Sequence, residues 1–357
     1  FCSAIGEPSS CGLKWLDISG NSLGPDAASM LVKGVQTNRT LASLNIDGFP
    51  LPIDKLRQAV KIVLSGKKLG AISAVVIASC IAGSKHLKEL SLENNGLCGF
   101  GHNPKHSGTF TAEGIDALSK AFTQTTNLAT VNVASNKMGS VGVKKLVEGF
   151  ALMPNLREVN VAENNVDQKA GIEIAKTFAQ FANLSKVNID GYPLPIDELR
   201  GAQPTETIDM SDKNLGVASA IIIASCIAGN EHLKVLSLAF NRFCPDNETE
   251  GIHALIDAFK QVPNLVDVNL AANNLTCNGN DSSAVIKLAE VLPSTKIEAL
   301  NLDFNALCAT RLRGELSVMM KLAEVLPDCK DLKSLSLAST GIGATYDGMA
   351  PVGALAV

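Results

Sequence analysis

The chain has 357 residues, enough for one large domain or for two or three ordinary ones. Its make-up, 46% hydrophobic and 18% charged, is that of a globular chain and excludes intrinsic disorder. A net charge of −4 and an aromatic content of 4% argue against a nucleic-acid surface, which needs bases for phosphates and rings for stacking.

The predicted elements recur along the chain. "LKWLDISGNSL" from Leu13 has apolar residues at its first, fourth, sixth and eleventh positions and Asn at its ninth. Apolar residues two apart, as at Leu90 and Leu92, line one face of a short strand. The Asn, as at Asn95 or Asn164, is suited to bond backbone where the chain leaves the strand. A weaker copy from Leu41 contains "NIDGFPLPIDKLRQ" (45–58), and another from Ala59 leads into the apolar run Ala71–Ala82. "LKELSLENNGL" from Leu87 precedes an insertion, Cys98–Thr111. "LATVNVASNKM" from Leu128 precedes a predicted helix over 142–155, with Val143, Leu146, Val147 and Phe150 on one stripe and Pro154 as a stop. "LREVNVAENNV" from Leu156 precedes another over 171–183, with Ile172, Ala175, Phe178 and Ala179 aligned. Weaker copies from Leu184, with "NIDGYPLPIDELRG" (188–201), and from Thr205 lead to a second apolar run, Val217–Ala228. Then come "LKVLSLAFNRF" from Leu233, "LVDVNLAANNL" from Leu265, "IEALNLDFNAL" from Ile297, and "LKSLSLASTGI" from Leu332 with Thr340 in the Asn slot.

This makes twelve units, most commonly 28 residues long. The order of units over 41–183 returns over 184–331, which points to an internal duplication. The pattern resembles the leucine-rich repeat family, specifically its ribonuclease-inhibitor-like class, and the resemblance covers nearly the whole chain. It implies an α/β solenoid over 1–357, a horseshoe with a parallel sheet on the concave face and helices on the convex face. The chain begins and ends inside a repeat, so a piece of a longer array is expected.

On the concave face the acidic Glu89, Glu93, Glu158, Glu163, Asp212 and Asp267 are expected to outnumber the bases, with Trp15, Phe240 and Phe304 exposed among them as candidate hot spots. Insertions at Cys98–Thr111, Cys244–Thr249, Thr276–Ser283 and Cys308–Gly314 share one register, the strand-to-helix corner. They mark one edge, with Phe100, His102, His106, Asp246, Asn278 and Arg311 as candidate contacts. Cys98, His102 and His106 lack a visible fourth ligand, so a solvated loop is expected there and no metal or cofactor is assigned.

Nine cysteines, an odd number without a CxxC pair, point to an intracellular, reducing compartment, against five sequons at Asn38, Asn183, Asn247, Asn274 and Asn280. No Walker loop or HExxH occurs, and the one GxSxG match, "GNSLG" at 20–24, is the Asn corner of the first repeat. The expected function is a non-enzymatic protein-interaction scaffold, on its own or as a subunit of a large assembly. The resemblance also admits a small-GTPase activator, as in the Ran GTPase-activating protein, or a receptor-type recognition domain. The two Pro-Leu-Pro stretches are too short to hold a full helix. Tyr192, Leu194, Ile196 and Leu199 are therefore expected to cover the flank of the apolar helix that follows, an exposed docking groove being the alternative.

Overall fold

A computed structural model describes residues 12–21, 23, 25–99, 111–308 and 317–341. They group into two compact units, one within Phe1–Ala170 and Phe181–Asn188, the other within Gly171–Gln180 and Ile189–Val357. Each is an α/β leucine-rich-repeat solenoid. Among the described residues no helix is long and apolar enough to cross a membrane.

The first unit runs β1 (Trp15–Asp17), α1 (Pro25–Thr37), β2 (Ser43–Asn45), β3 (Pro50–Pro52), α2 (Ile53–Gln58), β4 (Lys61–Val63), α3 (Ala71–Ile81), β5 (Glu89–Ser91), α4 (Glu113–Gln124), β6 (Thr130–Asn132), α5 (Gly139–Phe150), β7 (Glu158–Asn160) and β8 (Lys186–Asn188). β4 to β8 pair in parallel without stagger, so Ile62, Leu90, Val131, Val159 and Val187 stand opposite one another. All five are buried. β3 lies antiparallel to β2, a pairing the repeat pattern does not anticipate. Pro50 and Pro52 have no N–H to offer a further strand. The three-stranded sheet β1–β2–β3 ends there, and β4 opens a new one.

In the second unit α6 (Gln168–Ala179) contributes residues 171–179. It is followed by β9 (Pro193–Pro195), α7 (Ile196–Leu199), β10 (Thr207–Asp209), α8 (Val217–Ile227), β11 (Val235–Ser237), α9 (Glu250–Phe259), β12 (Asp267–Asn269), α10 (Ser283–Val291), β13 (Ala299–Asn301), α11 (Ser317–Val325) and β14 (Ser334–Ser336). β10 to β14 form a parallel sheet, again without stagger. α5 and α6 start three residues before the predicted 142 and 171 and end before 155 and 183. The residues after α5 tighten into turns, with the Met153 N–H donating to the Phe150 carbonyl at 3.0 Å.

A ladder of buried asparagines holds the corners together. The Asn164 Nδ2 donates to the carbonyls of Val133 (3.0 Å), Val161 (2.9 Å) and Ala162 (3.2 Å), and its Oδ1 accepts from Asn136 N (2.9 Å) and Met138 N (3.4 Å). Asn95, Asn241 and Asn305 repeat the scheme. Asn136 and Asn273 keep the donor half, but their Oδ1 atoms are buried without a partner. The preceding corner explains this. After the Asn slot most units place a residue in the left-handed region, such as Lys137 or Asn274. Gly96 and Arg242 do not, and their N–H groups turn back to the carbonyls of Leu69 and Leu215 (both 2.8 Å). Those are the corners from which the insertions at Cys98 and Cys244 leave.

The Pro-Leu-Pro segments take the place of a helix. Leu51, Ile53 and Leu56 are buried in the first unit, and Leu194, Ile196 and Leu199 in the second, while Tyr192 is half-buried. α2 packs on α3, α7 packs on α8, and α1 packs directly on α3 across the gap. The Arg57 guanidinium donates to the Val35 carbonyl and, at 3.1 Å, to that of Asn38, satisfying the C-terminal end of α1. α8 is buried along its length except at Ser225, as an all-apolar helix requires; α3 leaves Ile72, Val75 and Ser79 half-exposed. The carboxylates of "NIDG" cap these two helices. Their N-cap residues are Gly70 and Gly216, which have no side chain to do so. Asp47 Oδ2 accepts from Gly70 N (2.7 Å) and Ser73 Oγ (2.5 Å), and Asp190 Oδ2 from Gly216 N (2.9 Å) and Ser219 N (3.1 Å). Asp190→Ala is expected to cost about 1–2 kcal/mol, the usual worth of a helix cap, read from the urea midpoint.

Closeness at α8 demands glycine on its neighbour. A Cβ on Gly251 in α9 would meet Val217 O at 2.8 Å and the Ala220 Cβ at 2.9 Å, whereas one on Gly171 would meet only the Ala218 Cβ at 3.8 Å. Gly251→Ala is expected to lose about 2–3 kcal/mol through overpacking. Gly171→Ala should be neutral, or stabilising by up to about 1 kcal/mol through helix propensity. Equal losses at both sites, in denaturant melts, would remove the packing argument.

Candidate partner-binding surface

The three-residue strands, β14 apart, bury their middle side chain, and all but β2 leave the first and third at least partly exposed, which builds two columns on the strand side of each unit. The third column is hydrogen-bonded to itself and to the turn that follows it. Asn45 Nδ2 donates to Asp17 Oδ2 (2.9 Å), Ser65 and Ser91 share a hydrogen bond (2.8 Å), and so do Ser211 and Ser237 (2.7 Å). Asn132, Asn160, Asn269 and Asn301 each accept the N–H two residues on. These groups hold the turn rather than wait for a ligand.

In the first unit two of the four acids read from the sequence are paired with lysines. Glu89 pairs with Lys61 (2.5 Å) and Glu158 with Lys186 (3.1 Å), each the residue directly opposite on the neighbouring strand. Glu93 accepts from Asn132 Nδ2 (3.1 Å) and Glu163 from Ser135 Oγ (2.7 Å). Counting acids against bases missed Lys61 and Lys186; aligning the first strand residue of successive repeats would have found both. Trp15 stands exposed on β1, as expected.

In the second unit the acids are less compensated. Glu206 pairs with Lys234 (2.6 Å) and Glu298 with Lys333 (2.7 Å). Among the described residues Asp209, Asp212, Asp267 and Asp303 form no salt bridge. Lys213, next to Asp212, lies over the Tyr192 ring at 5.7 Å, as Lys67 lies over Phe49 at 5.2 Å. The hydroxyl and N–H of Ser211 hold the Asp209 carboxyl below the usual carboxylate range, so it stays ionised at neutral pH. The residue before the Asn slot is left-handed in every such unit, and in this one the series reads Asp212, Phe240, Ala272, Phe304 and Ser339. Backbone bonds join the rungs: Asp212 N to Ala239 O (2.9 Å), Phe240 N to Ala271 O (2.8 Å), Ala272 N to Asp303 O (2.8 Å) and Phe304 N to Ala338 O (2.9 Å). Phe240 and Phe304 are exposed by 57% and 56%. The sequence shows these rings, but not that a left-handed backbone holds them out.

At the edge, the 3₁₀ turns Pro245–Asn247 and Cys277–Gly279 touch each other. Asp246 and Asn278 lie exposed at their tips, both with positive φ, and Asn274 Nδ2 ties the turns by donating to the Cys244 carbonyl (3.2 Å). Phe100, His102, His106 and Arg311 lie outside the described residues. Cys98, the other member of the loop's metal trio, is buried, and burial pushes its thiol up to about 12. Burial also raises the Cys244 and Cys277 thiols. Among the described residues no group of three His, Cys, Asp or Glu could hold a metal ion. Of the sequons, Asn38 is buried and accepts the N–H groups of Thr40 (2.8 Å) and Leu41 (2.7 Å), and the Asn183 amide donates to the Pro154 carbonyl (3.0 Å).

A family model described as Leucine Rich repeat matches residues 124–147. No curated protein matches the chain. Similar solved structures include the actin-binding site 2 of leiomodin-1, 12% identical over 39% of this chain and 76% of that one, with a TM-score of 0.32. They also include the leucine-rich repeat-containing protein LegL7 from Legionella pneumophila, 16% identical over 92% of this chain and 83% of that one, with a TM-score of 0.27.

Proposed function

We propose that this chain is a non-enzymatic scaffold that recognises a protein partner on its strand side and along the adjoining strand-to-helix edge. Leucine-rich repeat proteins in general act as protein-interaction scaffolds. The observation that carries the proposal here is the pair of Phe rings held out by a fully hydrogen-bonded backbone ladder at left-handed positions. Large residues rarely adopt that conformation, and the strain is of order 1–2 kcal/mol each. A rigid aromatic anchor loses little entropy on binding. Among the described residues the exposed large apolar side chains on or next to the helices, Met30, Val141, Leu152 and Met320, are scattered along the chain and need no partner to explain them. The modal 28-residue unit with one helix per strand supports twelve repeats of the ribonuclease-inhibitor-like class. The free and mostly buried thiols among the described residues support a reducing, intracellular setting, and a place in a larger assembly is part of the proposal.

Capture of the chain from its native source under mild conditions, with cross-linking and mass spectrometry, tests this reading. Cross-links are expected at lysines of the strand side and the edge, such as Lys234 and Lys333, and not along α10 and α11. A chain that returns alone argues against the assembly role. Stimulated GTP hydrolysis by candidate GTPases would instead favour the regulatory alternative, and glycans at Asn247 or Asn280 the receptor one.

A further inference from the structure

We infer that the Phe240–Ala272–Phe304 series is a clamp for an arginine side chain of a basic, extended protein segment; this rests on the strand-side reading above and names its partner. The three residues are consecutive rungs of one ladder, joined by the bonds from Phe240 N to Ala271 O and from Ala272 N to Asp303 O. Neighbouring parallel strands are about 4.8 Å apart, so the two Phe rungs are separated by about 10 Å. Ala272, half-buried, leaves the floor between them low. Such a slot leaves room for one flat group between the two rings.

Charge chooses the occupant. Asp212 is the rung before Phe240, and Asp303 immediately precedes Phe304. Asp209 and Asp267 stand in the strand columns of the same side; among the described residues none of the four forms a salt bridge, although Lys213 acts on Asp209 and Asp303 accepts from Ser336 Oγ (2.7 Å) and Ala338 N (2.6 Å). The lysines at the strand starts, Lys234 and Lys333, are engaged with Glu206 and Glu298. The two rings thus sit in a field that favours a cation and offers it no competing basic partner from these lysines. Guanidinium is flat, stacks on aromatic faces and can bond carboxylates two at a time, whereas an ammonium is a hydrated point charge. An extended segment laid across the strands would also bring further bases to Asp209 and Asp267. An apolar occupant would desolvate these carboxylates without supplying a counter-charge.

The test is fluorescence anisotropy of the full chain with a labelled (Gly-Arg)5 peptide, beside (Gly-Lys)5 of equal charge. Binding of the arginine peptide is expected, with the lysine peptide weaker by about fivefold or more because it cannot stack. Phe240→Asn or Phe304→Asn should weaken it by about tenfold, as loss of a desolvated cation–π stack does. The melting temperature of these variants should be unchanged or raised, since Asn is at ease in the left-handed region. Asp212→Asn with Asp267→Asn should weaken binding and flatten its salt dependence. Equal binding of the two peptides, indifference to the Phe variants, or no binding overturns the clamp. If native-partner cross-links still fall on the strand side in that case, only the clamp fails; if they do not, the broader reading fails with it.

Discussion

Leu194→Asp abolishes cooperative folding of the second unit. Leu194 is wholly buried in β9, in the segment that continues through Ile196 and Leu199 to cover α8. Burying a carboxylate unpaired at this wholly buried position costs several kcal/mol. The alternative is for the segment to swing out, exposing three buried side chains and the flank of a helix whose only exposed residue is Ser225. Either route removes at least about 4 kcal/mol, a large share of the marginal stability of a domain. Leu194→Ala, which leaves a cavity without a charge, should lose about 2–4 kcal/mol. Circular dichroism melts distinguish the two. A folded, cooperative Leu194→Asp variant would restore the docking-groove reading of the Pro-Leu-Pro stretch, which the burial of Leu194 speaks against.

Asn164→Ala has the second-largest expected effect. It orphans the carbonyls of Val133, Val161 and Ala162 as well as the N–H groups of Asn136 and Met138. Buried unsatisfied groups cost about 1–3 kcal/mol each before relaxation or water entry, so a net loss of about 3–5 kcal/mol is expected. Asn136→Ala should cost about 1–2 kcal/mol less, because the Asn136 Oδ1 has no N–H to lose. Urea titration of both variants measures the difference. Equal losses would mean that the acceptor half of the ladder contributes nothing.

Much of this fold was legible before any coordinates. The strand, the Asn corner and the helix recur at short range, and a pattern within about 28 residues survives in one sequence. The burial of Leu194, Ile196 and Leu199 followed from the same reasoning, since a unit too short for a helix leaves an apolar neighbour uncovered. The exposure of Trp15 followed from strand alternation, whereas alternation continued from Leu236 and Leu300 would have turned Phe240 and Phe304 inward. The acidic surface was less legible. Glu89 and Glu158 looked available because a list of charges along the chain does not say which lysine lies opposite.

What the sequence determined by itself is therefore the repeat: its period, its inward residues, its buried asparagines and the two places where it is cut short. Three things were decided only by tertiary structure. Asp47 and Asp190 reach across the turn to cap helices that begin 23 and 26 residues later, at Gly70 and Gly216. Lys61 and Lys186 pair with Glu89 and Glu158 in the first unit, while Asp212 and Asp267 form no salt bridge among the described residues. A left-handed backbone holds Phe240 and Phe304 out on either side of Ala272. The physical reason is common to all three. Periodicity is written in local spacing, but the pairing of a charge, a cap or a ring depends on the register between neighbouring units, which exists only once they have stacked.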